Sequence, residues 1–73
     1  PLEVKDVPAG RYAVTRCTGL ENISDTWQAL ANWVTDHDFR WAPGVTEGLE
    51  EVLTPIHKPF DAWEIDLYLP LAS

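Results

Sequence analysis

Between Ala62 and Leu71 apolar and polar positions alternate. Trp63, Ile65, Leu67, Leu69 and Leu71 share one face, and Glu64, Asp66 and Tyr68 the other. A period of two with one apolar face predicts a strand half-buried against a core. β-Formers also fill Leu2 to Lys5 and Arg11 to Cys17 on either side of Val7-Pro8-Ala9-Gly10, which predicts two short strands around a turn. After them the period changes. Ile23, Trp27, Leu30 and Val34 recur at intervals of four, three and four, placing an amphipathic helix from about Ser24 to His37. Ser24 is the expected capping side chain, with Asp25 complementing the helix dipole in the first turn.

The helix cannot run on through Asp38 to Gly48, which holds Pro43-Gly44 and reads as a connection whose aromatics, Phe39 and Trp41, fold back on the core. Leu49 to Thr54 is strand-like, and Pro55 and Pro59 bracket a loop before the final strand. The order is β(β)-α-β-β. It predicts an α+β fold, an antiparallel sheet of three to four strands with one amphipathic helix on one face, because that arrangement buries the helix stripe and the odd-numbered strand face together. On the Leu49–Thr54 strand, Leu49, Glu51 and Leu53 share one face, expected to be the core side, and Glu50 shares the other with Val52.

Seventy-three residues, 45% of them hydrophobic, support one small domain spanning 1–73 and no second core. A core of this size usually draws on a disulfide, a metal or a partner chain. Cys17 is the sole cysteine, so an internal disulfide and a multi-cysteine metal site are both excluded. Self-association or a companion domain is therefore expected. The lone thiol and the absence of a basic-then-apolar leader in PLEVKDV set the expectation of a cytoplasmic protein. Twelve Asp and Glu against five Lys and Arg leave a net charge of -7, which argues against direct contact with nucleic acid or an anionic membrane.

Few residues invite catalysis. Asp36-His37-Asp38 is explained by the helix end, His57 has no second ligand at a metal-site spacing, and no phosphate-binding glycine loop or nucleophile elbow exists. No metal and no cofactor are expected. The acidic positions within strands, Glu50, Glu51, Glu64 and Asp66, carry more information, because strand interiors disfavour carboxylates. One reading is a solvated sheet face. The other is an acidic, aromatic pocket for organic cations, to which four Trp, two Tyr and two Phe contribute more rings than so small a core requires.

The strings VPAGRYAV, TWQALANWV, LEEVLTP and WEIDLYLPL, in this order, resemble the GyrI-like effector-binding domain, the drug-sensing half of AraC-type and MerR-type transcription regulators and the fold of the gyrase inhibitor. The resemblance covers nearly the whole chain. It implies one β-α-β-β unit, the C-terminal one, of a duplicated fold whose two units share a sheet and form a ligand pocket, restored here by a homodimer or a companion half-domain. It implies a small hydrophobic or cationic ligand whose charge is received by Glu50, with Glu51 as fallback. Asp66, Tyr68 and Tyr12 match the family's pocket positions, and Trp33 its helix tryptophan. Two positions depart from the pattern: Cys17 stands where many members have a His, and Val52 where an aromatic often follows the pocket glutamate. The function implied is a non-catalytic multidrug sensor acting in transcription regulation. The alternatives are a hydrolase using Glu50 with Tyr68 or Tyr12, and an acidic protein-interaction module of the gyrase-inhibitor type.

Overall fold

The computed structural model describes residues 2–8, 10–42 and 48–72. Strands β1 (Glu3–Val7) and β2 (Gly10–Thr18) form a hairpin, helix α1 (Ile23–Asp36) follows, and β3 (Leu49–Val52) and β4 (Glu64–Leu71) complete the chain. One-turn 3₁₀ segments at Leu20–Asn22 and Phe60–Ala62 lead into α1 and towards β4. The fold is α+β: an open, antiparallel four-stranded sheet in the order β1-β2-β4-β3, with α1 packed on one face. Among the described residues no helix is long and apolar enough to cross a membrane. The Pro43-Gly44 turn lies outside the described residues.

The centre of the sheet is the long antiparallel ladder of β2 and β4, with Ala13 opposite Leu69, Thr15 opposite Leu67 and Cys17 opposite Ile65. Opposed residues point to the same face, so these six side chains form the floor on which α1 lies. Burial along β4 alternates strictly, and Ile65, Leu67, Leu69 and Leu71 are all at most 5% exposed. Leu30 and Val34 of α1 close the core from above, each fully buried, while Ile23 and Trp27 of the same stripe pack at its margin. Cys17 is a buried small hydrophobe whose thiol hydrogen reaches the Gly19 carbonyl at 3.3 Å. Trp63 precedes β4 and packs against the core, its indole N–H donating to the Lys58 carbonyl at 3.0 Å.

Two local expectations are corrected. Helix α1 starts one residue before Ser24, with Asn22 as N-cap and no side-chain cap bond; Asn22 instead donates to the Thr18 carbonyl at 2.9 Å. The short 3₁₀ turn carries the chain into the helix, so no serine cap is required. In the second case Phe39 does fold back, stacking on Trp33 at 5.8 Å and packing against the core, whereas Trp41 remains 42% exposed.

The helix ends in a Schellman-type closure: Asp38 N–H donates to Thr35 O at 3.1 Å and Phe39 N–H to Val34 O at 3.0 Å. The left-handed residue this closure needs is Asp38, at φ 60°, where a glycine would carry no Cβ penalty. Asp38→Gly is therefore expected to stabilise the domain by about 0.5–1 kcal/mol, the αL cost offset in part by glycine's freedom in the unfolded chain, and to raise the melting temperature by about 2–8 °C. Thermal unfolding followed by circular dichroism measures it.

Candidate functional site

Helix α1 packs more closely on β2 than on β4. The physical cause is side-chain size, since the helix-facing residues of β2 are Ala13, Thr15 and Cys17, whereas β4 presents Ile, Leu, Leu and Leu. A helix displaced towards β2 leaves β3, on the far side of β4, without a cover among the described residues. The result is an open cleft of about 860 Å³ between α1 and β3. Its wall on the helix side is Ser24, Trp27, Gln28 and Ala31, its floor includes Leu69, and β3 contributes Gly48, Leu49 and Glu50. Trp41 closes one end. It forms a bridge with Leu71, and Ala42 N–H donates to the Pro70 carbonyl at 3.0 Å, so the Arg40–Ala42 segment runs beside β4 in line with β3.

The register between β3 and β4 determines which acidic side chain enters the cleft. Glu50 lies opposite Leu67 and Val52 opposite Ile65, so both point to the helix face; Leu49 lies opposite Tyr68 and Glu51 opposite Asp66, on the open face. This reverses the expected core side of the strand. Leu49 is 58% and Leu53 43% exposed, because their parity turns them to the open face of an edge strand, where no element packs on them among the described residues. Glu50 is nonetheless held. The Trp27 indole N–H donates to Glu50 Oε2 at 2.9 Å, a hydrogen bond to a charged acceptor. The far edge of the same indole lies over Gly48. A Cβ at that position would come within 2.8 Å of Trp27 Cζ3 and 2.5 Å of the Tyr68 carbonyl oxygen, so only glycine leaves room for the ring. Among the described residues Glu50 has no cationic partner.

The other residues singled out from sequence lie elsewhere. Tyr12, Asp66 and Tyr68 come together on the open face of the sheet, across from the cleft. Tyr12 and Tyr68 meet edge-to-face at 6.1 Å, and Tyr68 Oη donates to Glu51 Oε1 at 3.2 Å. Asp66 is occupied by Arg16, whose Nε lies 2.8 Å from Oδ1, while a second guanidinium nitrogen lies 3.4 Å from Glu64. The hydrogen bond to Asp66, and then its charge, hold the Arg16 guanidinium even more firmly protonated than usual. Trp33 belongs to a third place, the end of α1, where it stacks on His37 at 4.4 Å and on Phe39. His37 Nδ1 lies 2.9 Å from the Trp33 carbonyl, a helix-end role without ligand chemistry. Glu50 is thus separated from Tyr12, Asp66 and Tyr68 by the sheet itself.

Sequence reasoning did not single out Trp27, Trp41 or Gly48 as site residues. Trp27 was indistinguishable from core by its spacing in the helix stripe. The signal available was the triplet Gly48-Leu49-Glu50, which places a bare backbone position and a carboxylate on one strand face, leaving a ring-sized space beside an acceptor. Among the described residues no three His, Cys, Asp or Glu side chains cluster as a metal site would require.

The structure is thus a half-open antiparallel sheet with one helix and a side cleft in which Glu50 has no cationic partner among the described residues. The family model for integron-associated effector binding proteins, Cass2, matches residues 1–71. The chain belongs to this family, a GyrI-like effector-binding family. No curated protein and no solved structure matches the chain.

The open face yields a pH prediction. Partial desolvation, the hydrogen bond to Glu51 and the negative charges of Glu51 and Asp66 raise the Tyr68 phenol above its ordinary value, with Lys5 opposing. Folding therefore favours the neutral phenol. That contribution is fully present below the unfolded value of about 10 and is lost as pH rises through the folded one. Absorbance titration at 295 nm should show a tyrosine ionising late, and Tyr68→Phe should abolish that step and flatten the fall of stability above about pH 10.

Proposed function

We propose that the chain is the non-catalytic effector-binding module of a GyrI-like transcription regulator or stand-alone multidrug sensor, and that the cleft between α1 and β3 takes up a lipophilic cation. The observation that carries the reading is Glu50: a carboxylate on the helix side of the sheet, bonded to a neutral donor and, among the described residues, to no cation. Around it the cleft offers Trp27, Trp41, Ala31 and Leu69 as apolar surface, within the size range of ligand pockets. An aromatic wall beside a carboxylate attracts an organic cation through the ring quadrupole and through ion pairing, both of which strengthen as the ligand displaces water. Family membership supports effector binding as such.

The hydrolase reading needs Glu50 and a tyrosine on one substrate. Within one unit Tyr12 and Tyr68 lie on the opposite face of the sheet from Glu50, which favours the binding reading over that pair acting as general base and acid.

Replacing Glu50 by Gln keeps the shape of the side chain and removes its charge. Binding of tetraphenylphosphonium, followed by quenching of tryptophan fluorescence, should weaken roughly ten- to a hundredfold in this variant, the range of a hydrogen-bonded charge, while neutral triphenylphosphine oxide is little affected. Equal losses for the two probes would remove the charge argument.

The unit also accepts a second one in this reading, as a homodimer or a companion half-domain. Leu49, Val52, Leu53, Ile56 and Phe60 leave apolar surface exposed along β3 and the segment after it, beside the open mouth of the cleft. A monomer mass by light scattering at micromolar concentration, with and without the cation, would exclude the homodimer; a dimer mass is the expected result.

A further inference from the structure

Trp27 makes two attachments to the edge strand that a margin-of-core residue does not require. Its indole N–H ends on Glu50 Oε2, and its benzene edge occupies the space that Gly48 leaves empty. The backbones of α1 and β3 scarcely approach one another. This side chain is therefore the strut between the helix and the acidic strand.

The type of donor matters as much as its presence. On the opposite face Asp66 is held by Arg16, and the guanidinium that orients the carboxylate also cancels its charge. An indole N–H orients an oxygen without cancelling anything, because it is a neutral, single donor with no second proton to offer. Glu50 is thereby fixed and still negative, with Oε1 free of hydrogen bonds among the described residues. A flexible glutamate on an exposed strand would lose rotamer freedom on pairing with a ligand, and one already held loses less.

We propose that Trp27 is the positioning and specificity-determining residue of this cleft: its N–H presets the Glu50 carboxylate for a cation, and its ring face forms the wall against which the cation's apolar substituents lie. The inference rests on the reading of Glu50 as the group that receives the charge. Gly48 is the third part of the device, since a side chain there would push the indole off the carboxylate.

The test uses the full chain, with tetraphenylphosphonium as cation and triphenylphosphine oxide as neutral probe. Trp27→Phe keeps an aromatic face and removes the donor, together with the outer ring edge that packs on Gly48. It should weaken the cation roughly tenfold, the value of one hydrogen bond to a charged group, and the neutral probe by less than about threefold. In the wild type the Trp27 indole proton, followed by NMR, should shift saturably with the cation, and in Glu50→Gln it should move without any ligand. If Trp27→Phe unfolds, the wild-type indole proton is the deciding readout: a saturable shift with the cation is expected, and an unmoved indole proton with bound cation would overturn the proposal. Equal loss of the two probes in Trp27→Phe would reduce Trp27 to a wall and overturn the proposal. Unchanged cation binding in Trp27→Phe, with loss in Glu50→Gln, would overturn it while leaving Glu50 in its role. Unchanged cation binding in Glu50→Gln would bring down both.

Discussion

The register between β2 and β4 is the constraint from which the rest of the architecture follows. Eight consecutive pairs, from Arg11 opposite Leu71 to Thr18 opposite Glu64, set small residues of one strand beside large residues of the other on the helix face. A slip by one residue would turn Ile65, Leu67, Leu69 and Leu71 out to water and bring Glu64, Asp66 and Tyr68 beneath the helix, an exchange no small core survives. With the register held, the unequal height of the floor tilts the helix towards the Ala13–Cys17 side, and the uncovered ground lies over β3. The cleft is a consequence of that asymmetry in side-chain size.

The same logic explains what could be read from the chain and what could not. The long alternation of β4 and the stripe of α1 are repeated signals, each residue confirming the period of its neighbours, and so the elements, their order and the α+β architecture were legible. β3 is four residues long and lies at an edge. Its parity was visible, but the rule that leucines face the core applies only where a core exists on both flanks. At an edge strand the partner's register decides, and register is a long-range property with no local trace. The placement of Tyr12, Asp66 and Tyr68 followed from their alternation with the buried face. That Glu50 faces the other way did not, and the resemblance to the family, which named these residues together, carries no information about sidedness within one unit.

Trp27 illustrates a further limit. In a stripe of Ile23, Trp27, Leu30 and Val34, spacing treats the four as equivalent, yet only Leu30 and Val34 are buried. The indole differs from its neighbours in owning a donor that has to find a partner when it leaves water, and in this fold that partner is the carboxylate two residues beyond a glycine. The polar handle of a hydrophobic residue was thus the informative feature, and a scale that ranks side chains by hydrophobicity alone is blind to it.

The distribution of charge ties the cleft to the composition. A net charge of -7 makes the surface acidic overall, and three of the five Lys and Arg are drawn into ion pairs. Lys5 pairs with Glu3, Arg11 with Asp6, and Arg16 with Asp66 and Glu64, on the β1-β2-β4 side of the sheet, whereas Arg40, in line with β3, and Lys58, in the segment after it, form no ion pair among the described residues. Such exposed pairs add little stability individually. Their effect on the field is larger, since they neutralise carboxylates on one side and leave Glu50 and Glu51 of β3 without a cationic partner among the described residues. Steric asymmetry in the core opens the cleft and the indole bond leaves Glu50 charged within it, and an apolar cation is the kind of molecule that satisfies both at once.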